Sequence, residues 1–284
     1  MGETCVLSGQ HYRRLSELIR IEWGIEFPAS KRVMVETRLG RRARALGLGS
    51  LGAYCEYLHT AKGREQEGRH LIDAVTTHKT DFFREPGHFT CLTSLIVPSL
   101  MEHCGAGPRH RLLVWSSACS TGEEPYTIGM VLSEFARSLD PAPFQFRVEA
   151  TDISSVVLET GAKAIYSEAQ AKAVPGALRR EYLRRSKDPQ RAQVRIVPWL
   201  RAAVRFRQLN LLDADYGFAE PVDVAFCRNV MIYFDRRNQQ RILGQVVETL
   251  RPGGYLVMGH AESLNGLDLP LRQEAPTVYR RMHG

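Results

Sequence analysis

Five short stretches collect side chains able to bind a small ligand and act on it. In WSSACSTGEEP (115–125), small residues follow an apolar run, so backbone N–H groups can approach a ligand where a strand ends. Gly122 is the one glycine there, so this is not a G-x-G-x-x-G loop, and a purely structural strand–helix turn would look much the same. The acids Glu123 and Glu124 would be stabilised by a helix N-terminus. They would also repel a pyrophosphate, so the loop suits a cofactor without phosphates, such as a cationic one. Asp152 closes a second apolar run, 28 residues after Glu124. An acid there can accept both hydroxyls of a ribose or cap the next helix, and the two roles are compatible. In NLLD (210–213), Asn210 can meet an adenine edge. RNVMIYF (228–234) places Arg228, Asn229 and Tyr233 within a turn of a strand end. That is either a site, or an Arg pairing with a surface acid beside a core Tyr. TTHKTDFFRE (76–85) mixes hydroxyls, His78 and Arg84 with two Phe, and either caps helices or covers a pocket.

The elements that would position these residues follow from apolar periodicity. Tyr12, Leu15, Leu18 and Ile19 recur at helical spacing. Further helices are expected at 31–46, at 51–58, over 69–81 and over Gly87–His103. After residue 110 short apolar runs alternate with helical ones. RLLVW (111–115), FRVEATD (146–152), VDVAFCRN (222–229) and YLVMGH (255–260) read as strands. PYTIGMVLSEFARSL (125–139), VVLETGAKAIY (156–166) and NQQRILGQVVETL (238–250) read as helices between them. Such alternation predicts an α/β fold with a parallel, doubly wound sheet. PLRQEAPTVYRRM (270–282) can add one or two edge strands. Residues 167–207 break the rhythm with a charged helix and two β-like runs, Val194–Val197 and Ala202–Phe206. They are expected to form an inserted antiparallel subdomain. The expected division is a helical domain over 1–103 and an α/β domain over 104–284.

Composition narrows the classes without choosing one. The chain has 284 residues, 44% hydrophobic and 24% charged, which excludes disordered, collagenous and coiled-coil types. It carries 38 Lys and Arg against 31 Asp and Glu, a surplus of +7. Nucleic acid, anionic lipid or an acidic protein would all suit that surplus. A good part of it falls on the helix at 31–44, where Lys31, Arg32, Arg38, Arg41, Arg42 and Arg44 are interrupted by Glu36 alone. The six cysteines are scattered without metal-ligand spacing, so no metal is expected and reduced cytosolic thiols are. The N-terminus lacks the pattern of a secretory signal, and Val6 departs from a myristoylation box. No apolar run approaches membrane-spanning length.

Taken together, TTHKTDFFRE, WSSACSTGEEPY, ATDIS (150–154), NLL, FCRNVMIYF (226–234) and the closing GHAESL…TVYRR resemble the CheR family. These are the S-adenosylmethionine-dependent glutamate methyltransferases of chemotaxis receptors. The resemblance runs from about residue 10 to 281. It implies a helical N-terminal domain, a Rossmann-like methyltransferase sheet and a small antiparallel insertion. It implies S-adenosylmethionine as cofactor, S-adenosylhomocysteine as product, and a cytoplasmic enzyme of signal adaptation. By the same resemblance His78, Thr80, Arg84, Glu123, Glu124, Asp152, Asn210, Leu211, Arg228 and Asn229 contact the cofactor, although the family often has Asn where this chain has His78. Arg84 and Tyr233 are the catalytic candidates. Arg38, Arg41, Arg42 and Arg44 would dock on the acidic helical bundle of a receptor. Some members bind a receptor tail peptide through a Gly-rich loop of the insertion. The corresponding stretch, RSKDPQRA (185–192), has no Gly, so tail-peptide binding is not expected.

Rival classes have weaker footing. A nucleic-acid methyltransferase would share the basic surface, but no N/D-P-P-Y or Pro-Cys nucleophile motif is present. A binding module that kept the fold without turnover would hold the cofactor and transfer nothing. Glu123 and Glu124 disfavour a nicotinamide dinucleotide.

Overall fold

The structure, a computed structural model, describes residues 6–27, 29–139, 143–188 and 190–283. Cys5 and the extreme N-terminal motif lie outside them. Contacts divide the chain into two compact units, one of Met1–Thr77 with Tyr233–Asn238, the other of His78–Ile232 with Gln239–Gly284.

The first unit is built on the helices Gly9–Trp23, Arg32–Ala45, Leu51–Leu58 and Ala61–Val75. Ser8, Ser50 and Thr60 cap three of them, each side-chain oxygen accepting an N–H three residues on. Leu15, Ile19, Val35, Leu39, Tyr54, Leu58 and Leu71 recur at helical spacing and are fully buried. Among them sits the acid Glu67, 1% exposed, held by both Arg42 nitrogens at 2.6 and 2.7 Å and by the Tyr54 hydroxyl at 3.1 Å. The segment Tyr233–Asn238 joins this unit through an Ile25–Phe234 bridge and a hydrogen bond from Glu26 N to Tyr233 O. The helix expected over 69–81 stops at Val75, because Thr76 is extended (ψ 152°) and its hydroxyl donates back to Ile72 O.

Among its described residues the second unit contains ten strands: β1 (Leu112–Ser117), β2 (Phe146–Asp152), β3 (Ile165–Ser167), β4 (Leu183–Arg185), β5 (Gln193–Ile196), β6 (Val204–Gln208), β7 (Val222–Cys227), β8 (Leu250–Met258), β9 (Leu271–Ala275) and β10 (Val278–Arg281). Seven form one sheet in the order β6-β2-β1-β7-β8-β10-β9. The first five of that order run parallel, and β10 runs antiparallel to both of its neighbours, β8 and β9. The chain winds outward from β1 through β2 to β6, then restarts at β7 beside β1. Their carboxyl ends therefore mark the switch point where open α/β sheets bind ligands. Every residue of β1 and β7 is buried, which is why both read as largely apolar runs, with Asp223 the one charged residue between them.

Two expectations are corrected. The stretch Gly87–Cys104 is helical with a π-turn at Leu92–Ile96, but it belongs to the second unit and not to a domain over 1–103. Its Phe89, Leu92, Ile96 and Leu100 lie in one core with Leu112, Val114, Phe226 and Tyr255. The antiparallel insertion is real but shorter than 167–207: β3, β5 and β4 form it. The run expected at Ala202–Phe206 is β6, which pairs parallel to β2 from Val148↔Val204 to Asp152↔Gln208. As an edge strand it leaves Arg205 exposed and Arg207 half-buried, so its pattern imitates a small surface sheet.

Candidate active site

The loop leaving β1 is a strained turn. Ala118 and Ser120 adopt φ 54° and 52°, and Gly122 φ 96°. Left-handed backbone at non-glycine residues costs energy and persists where surrounding contacts impose it. Those contacts come from β2 and from the 78–85 segment. Cys119 N donates to Thr151 O and Ser120 N to Asp152 Oδ2, both at 2.9 Å, while the Ser120 hydroxyl donates to His78 O at 3.0 Å. A Cβ on Gly122 would lie 2.9 Å from the Tyr166 hydroxyl and 3.0 Å from Gly161 Cα, so only glycine fits. Asp152 also accepts from Ser154 N at 3.0 Å, and burial raises its pKa against these N–H donors. The helix cap that Asp152 might have supplied is provided by Ser154, which accepts from Val157 N.

Beside this loop one guanidinium joins two acids. Arg228, its side chain 2% exposed, holds Glu124 at 3.0 Å and Glu85 at 3.1 Å, donates to Arg84 O at 2.5 Å, and lies over the Phe89 ring. It is not paired with a surface acid. Glu124 also accepts from the Ser116 hydroxyl at 2.7 Å. Burial raises the Glu124 pKa despite Arg228. Burial pulls Glu85 upward too, but Arg228 and Asn229 outweigh it and hold that carboxyl below its ordinary value. Asn229, at φ 58°, donates from its side chain to Glu85 at 3.3 Å.

The other expected cofactor residues have definite places in the second unit. Thr80 and Arg84 are half-buried, and Arg84 donates to Lys79 O at 3.1 Å. Both Glu123 oxygens are engaged, one by Thr121 at 2.6 Å and the other by Gln170 at 3.1 Å, and burial raises its pKa. Glu123 thus ties the β1 loop to the insertion. Asn210 forms a turn beyond β6, its side-chain oxygen accepting from Leu212 N at 3.0 Å, and Leu211 is buried beside it. Glu85 and Glu262 were missed in the sequence. Both sit in stretches that carried the family resemblance: Glu85 follows Arg84 in the segment before helix Gly87–Cys91, and Glu262 lies four residues beyond the end of β8.

In the first unit Lys31 Nζ stands 4.5 Å from the centre of the Tyr233 ring, and burial together with Arg38 lowers its pKa. Of the four expected docking arginines, Arg38 and Arg42 hold partners within the helical unit. Arg38 donates to Ala74 O and Thr76 O, both at 2.9 Å, closing the end of helix Ala61–Val75, and Arg42 holds Glu67. Arg41 and Arg44 are exposed. The cationic surplus also has a second home. Residues 165–208 carry eleven Lys and Arg against three Asp and Glu, a surplus of +8 that exceeds the +7 of the whole chain.

The residue types at the switch point suit S-adenosylmethionine. Glu85 and Glu124 outnumber Arg228, which leaves the network one negative charge to match a sulfonium or an ammonium group. Asp152 is at the strand end where a ribose diol is held. Among the described residues Arg228 Nε is buried there without a hydrogen-bond partner. A pyrophosphate would face these acids unfavourably.

Comparison with known proteins agrees. The family model "CheR methyltransferase, SAM binding domain" matches residues 78–279, and "CheR methyltransferase, all-alpha domain" matches residues 10–76. The chemotaxis protein methyltransferase of Salmonella typhimurium is 40% identical over 280 residues, covering 98% of this chain and 92% of that protein. That of Escherichia coli is 39% identical over 282 residues, covering 98% and 93%. Chemotaxis protein methyltransferase 2 of Pseudomonas aeruginosa is 37% identical over 270 residues, covering 95% and 92%. A parallel sheet with an acid-rich switch point, an all-helical partner unit and similarity along nearly the full length place this chain in the CheR family of S-adenosylmethionine-dependent methyltransferases.

Proposed function

We propose that the protein methylates glutamate carboxylates on the cytoplasmic helical bundle of a chemotaxis receptor, giving methyl esters and S-adenosylhomocysteine. The observation that carries this reading is the buried Glu124–Arg228–Glu85 network next to Asp152, in a chain of this family. Asp152 binds the ribose hydroxyls, and Asn210 and Leu211 flank the adenine. Glu124, Arg228 and Asn229 hold the amino-acid end, with His78, Thr80 and Glu123 bordering it. When bound, the cofactor would supply an activated methyl group to a glutamate carboxylate oxygen, with S-adenosylhomocysteine as the leaving group.

A glutamate carboxyl, with an ordinary pKa of about 4.3, is already ionised at neutral pH, so the protein needs no strong base. Its residues act by positioning. Arg84 orients a carboxylate, either the substrate's or the cofactor's. Tyr233 fixes the substrate by a hydrogen bond or offers its ring face to the sulfonium. The exposed Arg41 and Arg44 meet the acidic receptor. The glycine-free loop at 185–192 assigns no role to a receptor tail peptide. Among the described residues no helix is long and apolar enough to cross a membrane. With the cytoplasmic helical bundle of a receptor as its substrate, the enzyme works from the cytoplasm.

Calorimetry tests the cofactor assignment. S-adenosylhomocysteine and S-adenosylmethionine should bind one per chain and NADH should not. Binding of NADH alone, or strongly salt-dependent RNA or DNA affinity with methyl transfer to nucleic acid, would replace this reading.

A further inference from the structure

Glu262 follows β8 and is 7% exposed, and among the described residues it pairs with no cation. Its carboxylate instead accepts four backbone N–H groups, each at 2.8 Å. Oε2 takes those of Asn229 and Gly259, and Oε1 those of Val230 and Met231. A buried carboxylate without a counter-ion is tolerable when donors of this kind replace its water. Here the donors come from two places: the turn leaving β7, and the end of β8. Gly259 lets them close together. A Cβ there would stand 2.6 Å from Asn229 Nδ2 and 2.8 Å from Glu262 Oε2.

The turn so held is the one that launches Arg228 and Asn229. Asn229 sits at φ 58°, a strained value that the Glu262 bond to its N–H helps to impose. With the turn in that shape, the Asn229 side chain reaches Glu85 and Arg228 reaches both acids. We propose that Glu262 is a positioning residue for the cofactor site: its carboxylate, seated among four N–H groups, fixes the direction in which Arg228 and Asn229 leave β7. The proposal rests on the reading that Arg228 and Asn229 hold the cofactor. It also explains why Glu is required here. Glutamine would aim an NH2 at two N–H donors, and aspartate is one methylene too short to span both turns.

The test is calorimetry of S-adenosylhomocysteine binding to the full chain, reading affinity and stoichiometry separately. Glu262→Gln should raise Kd about tenfold or more with stoichiometry still near one. The control is Asp223→Asn. Asp223 is an equally buried carboxylate at the amino end of β7, accepting from Leu113 N and paired with Arg251. Asp223→Asn should lower Tm and leave Kd unchanged. A merely structural Glu262 would behave like the control: fewer folded molecules, hence lower stoichiometry, but wild-type Kd in those that bind. That result would overturn the proposal. If Glu262→Gln does not fold, Glu262→Asp carries the same comparison with the same two outcomes. Wild-type protein that binds no S-adenosylhomocysteine would instead overturn the functional reading, and the proposal with it.

Discussion

Arg228 and Glu124 meet at 3.0 Å across 104 residues of chain, one leaving β7 and the other opening the helix after β1. Glu85 takes the same guanidinium from a third segment. Three segments distant in sequence thus share one buried charge network at the switch point of the sheet.

Arg228→Met leaves two carboxylates without their cation. Breaking a buried pair from one side costs about 3–5 kcal/mol, so the variant should unfold at markedly lower urea and bind no cofactor. Arg228→Lys keeps the charge but not the fork that spans two acids, and should fall between. Wild-type stability and affinity in Arg228→Met would show that the network has no part in holding site or fold.

Arg42 and Arg41 are neighbours with different tasks. Arg42→Glu sets an acid against Glu67, whose side chain is 2% exposed, and should destabilise the helical unit by about 3 kcal/mol or more. Arg41→Glu should leave Tm and cofactor affinity within error and slow receptor methylation, increasingly so at low salt. Equal melting of the two variants would contradict this division.

These cases also show what sequence could and could not tell. β2 is legible residue for residue as FRVEATD, and β1 and β7 nearly so, because each is a short run rich in apolar and β-branched residues between helical patterns, even with Arg147, Glu149 and Asp152 in β2 and Asp223 in β7. The acids at the switch point stood out because they flank a small-residue loop. The partners did not. Glu67 lies 25 residues from Arg42 and Glu262 lies 33 from Asn229, so only the folded packing reveals that the first claims a presumed docking arginine and the second a strained turn. Periodicity likewise found the helices at 87–104 but not which core they join. β6 reads as part of the insertion because an edge strand with Arg205 exposed and Arg207 half-buried has the pattern of a surface hairpin.

His88 gives a pH signature. Its ring is 2% exposed; Nε2 meets Thr277 at 2.7 Å, Nδ1 lies 3.4 Å from Glu85, and the His260 ring is adjacent. Burial, then the nearby Arg228, lowers its pKa from 6.5 to about 4. Above pH 6.5 both folded and unfolded chains keep it neutral. Between 6.5 and 4 the unfolded chain takes up a proton that the folded one resists, so stability falls as pH drops through that window, by at most about 3 kcal/mol. Glu85, held below its usual value, adds a further loss only at lower pH. Burial raises the pKa values of Glu123, Glu124 and Asp152, which act in the opposite sense, so His88 is read from the difference: as pH drops from 7 to 4 the melting temperature should fall more, or rise less, in the wild type than in His88→Asn, and identical slopes would contradict the assignment.

Tyr233→Phe should bind S-adenosylhomocysteine as the wild type does and turn over more slowly. It keeps the ring under Lys31 and removes only the hydroxyl. An unchanged rate would exclude a catalytic hydrogen bond while leaving the ring face as a possible contact.

The central claim is transfer of a methyl group to a carboxylate, and it is tested most directly by the chemistry of the product. Purified protein is incubated with methyl-labelled S-adenosylmethionine and the cytoplasmic domain of a chemotaxis receptor, and the labelled receptor is treated with alkali. A glutamate methyl ester hydrolyses and releases its label as volatile methanol, and that release is the expected result. Label that stays on the protein through alkali, or no label on any receptor domain while cofactor binding is intact, would contradict it.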